Sequence, residues 1–153
     1  MNLNAQTEDE SNILYPVGRV YRHVLSNKKF EPLFSPALND WKAEGEAISL
    51  LKKYSKRLSF KIILGFWCED SYLWVPRFLS FLDNAGIDEE QYKLFGVDKN
   101  KMAGFEGYAA LKIINVPTFI IYYDKREIGR IVEHPEQGLS EDLVKMIKRV
   151  EQK

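Results

Sequence analysis

Apolar residues change their spacing several times along this chain, and each change marks a structural element. Phe60 to Phe66 form a continuous β-favouring run, the pattern of a strand covered on both faces in an α/β sheet. From Asp70 to Asn84 the spacing becomes helical, with Leu73, Trp74, Phe78, Phe81 and Leu82 on one side and Asn84-Ala85-Gly86 as a stop. Tyr92, Leu94 and Phe95-Gly96-Val97 read as a second strand, and Phe105 to Leu111 as a short helical segment. Thr118 to Tyr123 and Glu127 to Glu133 are β-rich runs around the polar turn Asp124-Lys125-Arg126, which predicts a hairpin. A last helix follows, with Ser140 as its cap, Glu141 and Asp142 at its positive end, and an apolar stripe of Leu143, Met146, Ile147 and Val150.

Before residue 58 the pattern predicts helices. Leu14, Val17, Tyr21, Val24 and Leu25 fit a helix face over Ile13 to Asn27, with Gly18 as a weak point. Ser35-Pro36 offers a cap followed by proline at the first helical position. The helix begun there carries Trp41, Ala47, Ile48, Leu51, Tyr54 and Leu58 on one side, and Lys52, Lys53, Lys56 and Arg57 on its solvated side. The expected organisation is a polar leader and helical extension over 1–57, packed on an α/β domain over 58–153.

Composition narrows the function classes. The 22 basic and 22 acidic side chains cancel, so no net field draws the 153-residue chain toward nucleic acid or anionic lipid. The polar first twelve residues, with Glu8, Asp9 and Glu10, do not resemble a secretory signal. The longest unbroken apolar run, Ile62 to Cys68, is far short of the ~20 residues that cross a membrane. A single cysteine excludes an internal disulfide and a Cys-rich zinc site, and the expected compartment is the cytoplasm. His23 and His134 stand apart without companion ligands, so no metal is expected; Gly96, Gly104 and Gly107 do not form a phosphate-binding loop.

The order from residue 60, strand, helix, strand, helix, strand, strand, helix, resembles the thioredoxin-like superfamily, and three local features strengthen the resemblance. Phe66-Trp67-Cys68-Glu69-Asp70-Ser71 is similar to the family's Trp-Cys-X-X-Cys motif at a strand-to-helix junction, with serine at the second cysteine position. Pro76 stands where thioredoxins often carry a helix-kinking proline, and Asn115-Val116-Pro117-Thr118-Phe119 resembles the cis-proline loop before the hairpin. The resemblance covers about 58–153. It implies a central mixed sheet flanked by helices, with the N-terminal helical segment as an addition. It also implies Cys68 as nucleophile with Ser71 as a hydrogen-bond partner, and Trp67, Tyr72, Val116 and Pro117 around the substrate.

A thiol at the amino end of a helix meets unpaired N–H groups and the positive end of the dipole, which favour the form that attacks disulfides. With Ser71 in the second position, a two-thiol cycle is impossible. What the resemblance leaves is a monothiol oxidoreductase of bacterial cytosolic type acting on a disulfide-containing protein or small molecule. It would use no bound cofactor, and glutathione or another low-molecular-weight thiol would serve as co-substrate. The alternative is a redox-inactive binding or adaptor module, in which Cys68 is a small apolar residue and Ser71 a helix-start residue bonded to backbone. The run Lys61 to Phe66 lacks the buried acid usual behind the reactive pair, and Gly65 replaces the threonine of the peroxidase branch. Neither oligomeric state nor substrate is readable at this level.

Overall fold

The computed structural model describes residues 5–8 and 14–152. Its strands are β1 (Ala5–Glu8), β2 (Leu14–Val20), β3 (Leu58–Leu64), β4 (Tyr92–Gly96), β5 (Thr118–Tyr123) and β6 (Arg126–Val132). Its α-helices are α1 (Glu31–Phe34), α2 (Glu46–Lys53), α3 (Glu69–Asn84) and α4 (Leu139–Glu151). Among the described residues the strands form one mixed sheet in the order β1-β2-β4-β3-β5-β6. The central strand β3 runs parallel to β4 and antiparallel to β5, and β5 turns back into β6. This is an α/β thioredoxin-like fold.

The strict alternation of a strand divides the sheet into two faces. Phe60, Ile62, Leu64, Tyr92, Leu94, Phe119, Ile121 and Ile131 point into the main core, where α2, α3 and α4 bring Leu51, Phe78, Leu82, Leu143 and Ile147. On the opposite face Ile63, Phe95 and Val97 pack against Ala103, Tyr108 and Val116 from the segment joining β4 to β5. The helix expected over Phe105 to Leu111 is only a 3-10 turn at Ala109–Leu111. Gly104 and Gly107 in left-handed conformations interrupt the segment, so it covers the sheet as a coil.

The N-terminal third differs most from expectation. Leu14–Val20 is a strand, not the start of a helix, and only Arg22–Ser26 coils, as a 3-10 turn. Tyr15 and Val20 both reach the main core although five positions apart, an odd spacing that a regular strand would split between faces. Gly18, at φ +91°, turns the strand between them and so hides its alternation. The helix expected from Ser35 also breaks up. Pro36 lies in a short 3-10 turn, Ser35–Leu38, and the chain restarts as helix only at Glu46. Apart from Ala5–Glu8, the polar leader expected at the amino terminus lies outside the described residues.

Ser140 does not cap its own helix, since Gly138 occupies that position in α4. Its hydroxyl instead accepts the backbone N–H of Ala47 at 3.2 Å, satisfying an orphan donor in the first turn of α2. Gly45, the residue before α2, has φ +117°, and a Cβ there would overlap the Ser140 hydroxyl.

Candidate functional site

β3 ends at Leu64, and a tight turn through Gly65, Phe66 and Trp67 delivers the chain to α3. The Cys68 N–H donates to Gly65 O at 3.0 Å, closing the turn. Cys68 is the N-cap residue of α3, with extended backbone, and the Tyr72 N–H donates to its carbonyl at 3.1 Å. The 16-residue helix begins with exposed Glu69 and Asp70. Pro76 lies inside it.

Three side chains hold this turn from within. Wholly buried Ser71 accepts the Gly65 N–H with Oγ at 3.1 Å, tying the end of the strand to the first helical turn. Tyr72 turns back and donates its hydroxyl to Phe66 O at 2.6 Å. Its ring meets Phe34 edge-on at 5.1 Å, and Phe66 is clamped between Phe30 and Phe34. Burial, with smaller contributions from the charges of Tyr15, Cys68 and Glu69, pushes the Tyr72 phenol up to about 12. Trp67 donates its indole N–H to Val97 O at 2.9 Å, so the ring lies along the coil that follows β4.

The sulfur of Cys68 is half-buried and lies 3.6 Å from the carbonyl oxygen of Val116. The Val116–Pro117 peptide is cis. Its loop is fixed from both sides: Thr118 Oγ1 donates to Asn115 O at 2.6 Å, and the Glu133 N–H donates to Pro117 O at 2.7 Å. Ile114, the residue before Asn115, is 74% exposed, an apolar side chain in water. Trp67 and Cys68 border the second apolar cluster, together with Phe105, Leu111 and Ile113.

Of the residues expected around the thiol, Cys68, Trp67 and Val116 thus meet at one place, with Pro117 in the loop beside them. Ser71 and Tyr72 stand behind, with their hydroxyls bonded to backbone atoms of the turn, the Gly65 N–H and Phe66 O. The coil residues Phe105, Leu111 and Ile113 were not expected at the site. They lie far along the chain, Phe105 and Leu111 at the ends of the stretch expected as a helix, and no residue type among them marks a role. Among the described residues no three His, Cys, Asp or Glu side chains gather as a metal site requires, and no helix is long and apolar enough to cross a membrane.

No family model and no curated protein sequence matches the chain. Solved structures do resemble it. A protein of unknown function from Pseudomonas aeruginosa superposes with a TM-score of 0.59 at 13% identity, over 88% of this chain and 93% of that one. An HIV epitope-scaffold does so with a TM-score of 0.53 at 15% identity, over 89% and 94%. The thioredoxin pre-protein of Schistosoma mansoni, in its reduced form, aligns over 71% of this chain and 93% of its own at 23% identity, with a TM-score of 0.42. At such identities the likeness to the first two is one of fold.

Proposed function

We propose that this protein is a one-thiol disulfide oxidoreductase, in which Cys68 attacks a disulfide of a protein or small molecule and an external thiol completes the exchange. The observation that carries the reading is the position of the sulfur: half-exposed at the amino end of α3 and 3.6 Å from Val116 O, beside a cis peptide. In the first step the Cys68 thiolate attacks one sulfur of R–S–S–R′. A Cys68–S–S–R bond forms, and R′–S⁻ leaves and takes a proton from solvent. Since the chain has no second cysteine, a small thiol such as glutathione then attacks the mixed disulfide. Attack on the R sulfur frees Cys68 and yields R–S–S–G, which a second glutathione reduces to R–SH and oxidised glutathione.

In this cycle Trp67, Val116 and Pro117 border the bound substrate. Tyr72 and Ser71 shape the turn and take no part in the exchange. That assignment of Ser71 is also what favours a second reading. The position where the resemblance sets a second thiol holds a buried hydroxyl occupied by Gly65, which suits a binding module that keeps the fold without turnover.

One experiment separates the two. Glutathione-dependent reduction of a mixed-disulfide substrate should proceed with the wild type and vanish in Cys68→Ser. Labelling of Cys68 by iodoacetamide should be much faster than labelling of the unfolded protein under the same conditions. Slow labelling together with no turnover would sink the oxidoreductase and leave the binding module.

A further inference from the structure

The segment joining β4 to β5 packs over Ile63, Phe95 and Val97, and its Leu111 carbonyl accepts from Arg130 of β6; toward the amino-terminal ends of β3 and β4 the same face carries half-buried Lys61 and exposed Lys93. There Lys61 of β3 and Lys93 of β4 are direct partners in the parallel register. Lys125, from the β5–β6 turn, joins them around a depression of about 370 Å³ that also includes Ser59, Tyr122 and one carboxylate, Glu90. The Lys61 ammonium sits 5.1 Å from the centre of the Tyr122 ring. None of the three lysines has an ion pair among the described residues.

Like charges directly opposite each other on neighbouring strands are unfavourable. Lysines are common on sheet edges, where they deter edge-to-edge pairing. That reason does not extend to β3 and β4, which are interior strands of this sheet. Zero net charge does not weaken the local field, because Glu90 alone faces three cations in the depression.

We propose that this half-face binds a compact phosphoanion carrying two or more phosphate groups, with Lys61, Lys93 and Lys125 as its ligands. Three ammonium groups on long stems suit phosphate oxygens, which accept from many directions, better than they suit a planar carboxylate. The shared chemistry belongs both to free polyphosphate and to the phosphate tail of a nucleotide. The site does not involve Cys68, so its fate is independent of the thiol reading.

The test is an amide NMR titration of the full chain with tripolyphosphate and, separately, with a nucleoside triphosphate, at constant ionic strength. Saturable shifts confined to the neighbourhoods of Lys61, Lys93 and Lys125 are expected. Lys61→Gln and Lys93→Gln should each weaken binding about fivefold, the effect of losing one exposed charge contact. Tighter binding of the nucleotide, abolished by Tyr122→Leu, would identify the nucleotide tail as the ligand; equal binding would identify free polyphosphate. No saturation by ~10 mM of either anion, far weaker than any useful affinity, would overturn the proposal. So would unchanged binding by the glutamine variants, equal binding of citrate, or a single-stranded oligonucleotide that binds far more tightly than the triphosphate.

Discussion

At the scale of single residues, the turn before α3 depends on two hydroxyls that satisfy backbone groups. In Ser71→Ala the Gly65 N–H is left buried without a partner, which costs about 1–3 kcal/mol. Urea unfolding should report that loss. Glutathione-dependent turnover should stay within about threefold of wild type once scaled to folded protein, since the hydroxyl faces away from the chemistry; a loss comparable with that of Cys68→Ser would restore Ser71 to the active group. Tyr72 makes a prediction in pH. Its folded value is raised to about 12 from an ordinary value of 10.0, so the neutral phenol is favoured by folding. The associated stability is fully present below pH 10 and is lost as the pH rises through about 12. Tyr54, Tyr92, Tyr108 and Tyr122 are shifted the same way, so the alkaline loss is shared among them. Tyr72→Phe should remove part of that alkaline loss, and a denaturation series from pH 9 to 12 with wild type alongside would check it. The sequence disclosed Cys68 and its loop because they stand in a local pattern. For Ser71 it left a bond to backbone and a bond to the sulfur both open, and it did not disclose the bond of Tyr72 to Phe66 O, because a hydroxyl's partner depends on the curl of the turn and not on residue type.

At the scale of elements, α2 begins at a glycine and borrows its cap from another helix. Ser140→Ala removes the acceptor for the Ala47 N–H and should cost about 1 kcal/mol, the usual effect of losing a helix cap. Gly45→Ala should cost more, about 2–4 kcal/mol, because it combines left-handed backbone with overlap on the Ser140 hydroxyl. The two substitutions share one contact, so the double variant should lose less than the sum of the singles, as a double-mutant cycle by chemical denaturation would measure. This arrangement explains what could be read in advance. β3, α3, β5, β6 and α4 carry their period within themselves and were recognisable, including the hairpin. Its turn is tighter than the three polar residues suggested, with Asp124 and Lys125 both at positive φ between β5 and β6. What was misread depends on distant partners or broken period: the start of α2, expected at Ser35 and found at Glu46, on Ser140, 93 positions from Ala47, and β2 on the rotation at Gly18. The stretch from 97 to 117, where a helix was expected over Phe105 to Leu111, is interrupted by Gly104 and Gly107 and covers the thiol side of the sheet mostly as coil.

At the scale of the whole molecule, the residues before β3 take part in the same core as those after it. One apolar cluster runs from Tyr15 and Val20 through Phe30, Phe34, Ala47 and Leu51 to Leu143 and Ile147. Trp41 lies edge-on to Phe81 at 6.0 Å with the Arg77 guanidinium over its ring, and Arg22 joins Asp83 of α3 and the Tyr92 hydroxyl. The buried bulk in this cluster should make unfolding cooperative, so tryptophan fluorescence and far-UV circular dichroism should trace one coincident transition in urea. Phe34→Ala opens a hole between Phe66 and Tyr72 and should cost about 3–5 kcal/mol. It should also quicken alkylation of Cys68, because Phe66 and Tyr72 are the inner wall of the turn that presents the sulfur. A chain beginning at residue 58 would keep every residue of the thiol loop but lose Val20, Phe30, Phe34, Ala47 and Leu51 from the core. Such a fragment should show no cooperative transition, and its Cys68 should label at the rate of the unfolded protein. A sharp transition in that fragment, with the labelling rate of the full chain, would mean instead that the first 57 residues merely rest on a self-sufficient domain.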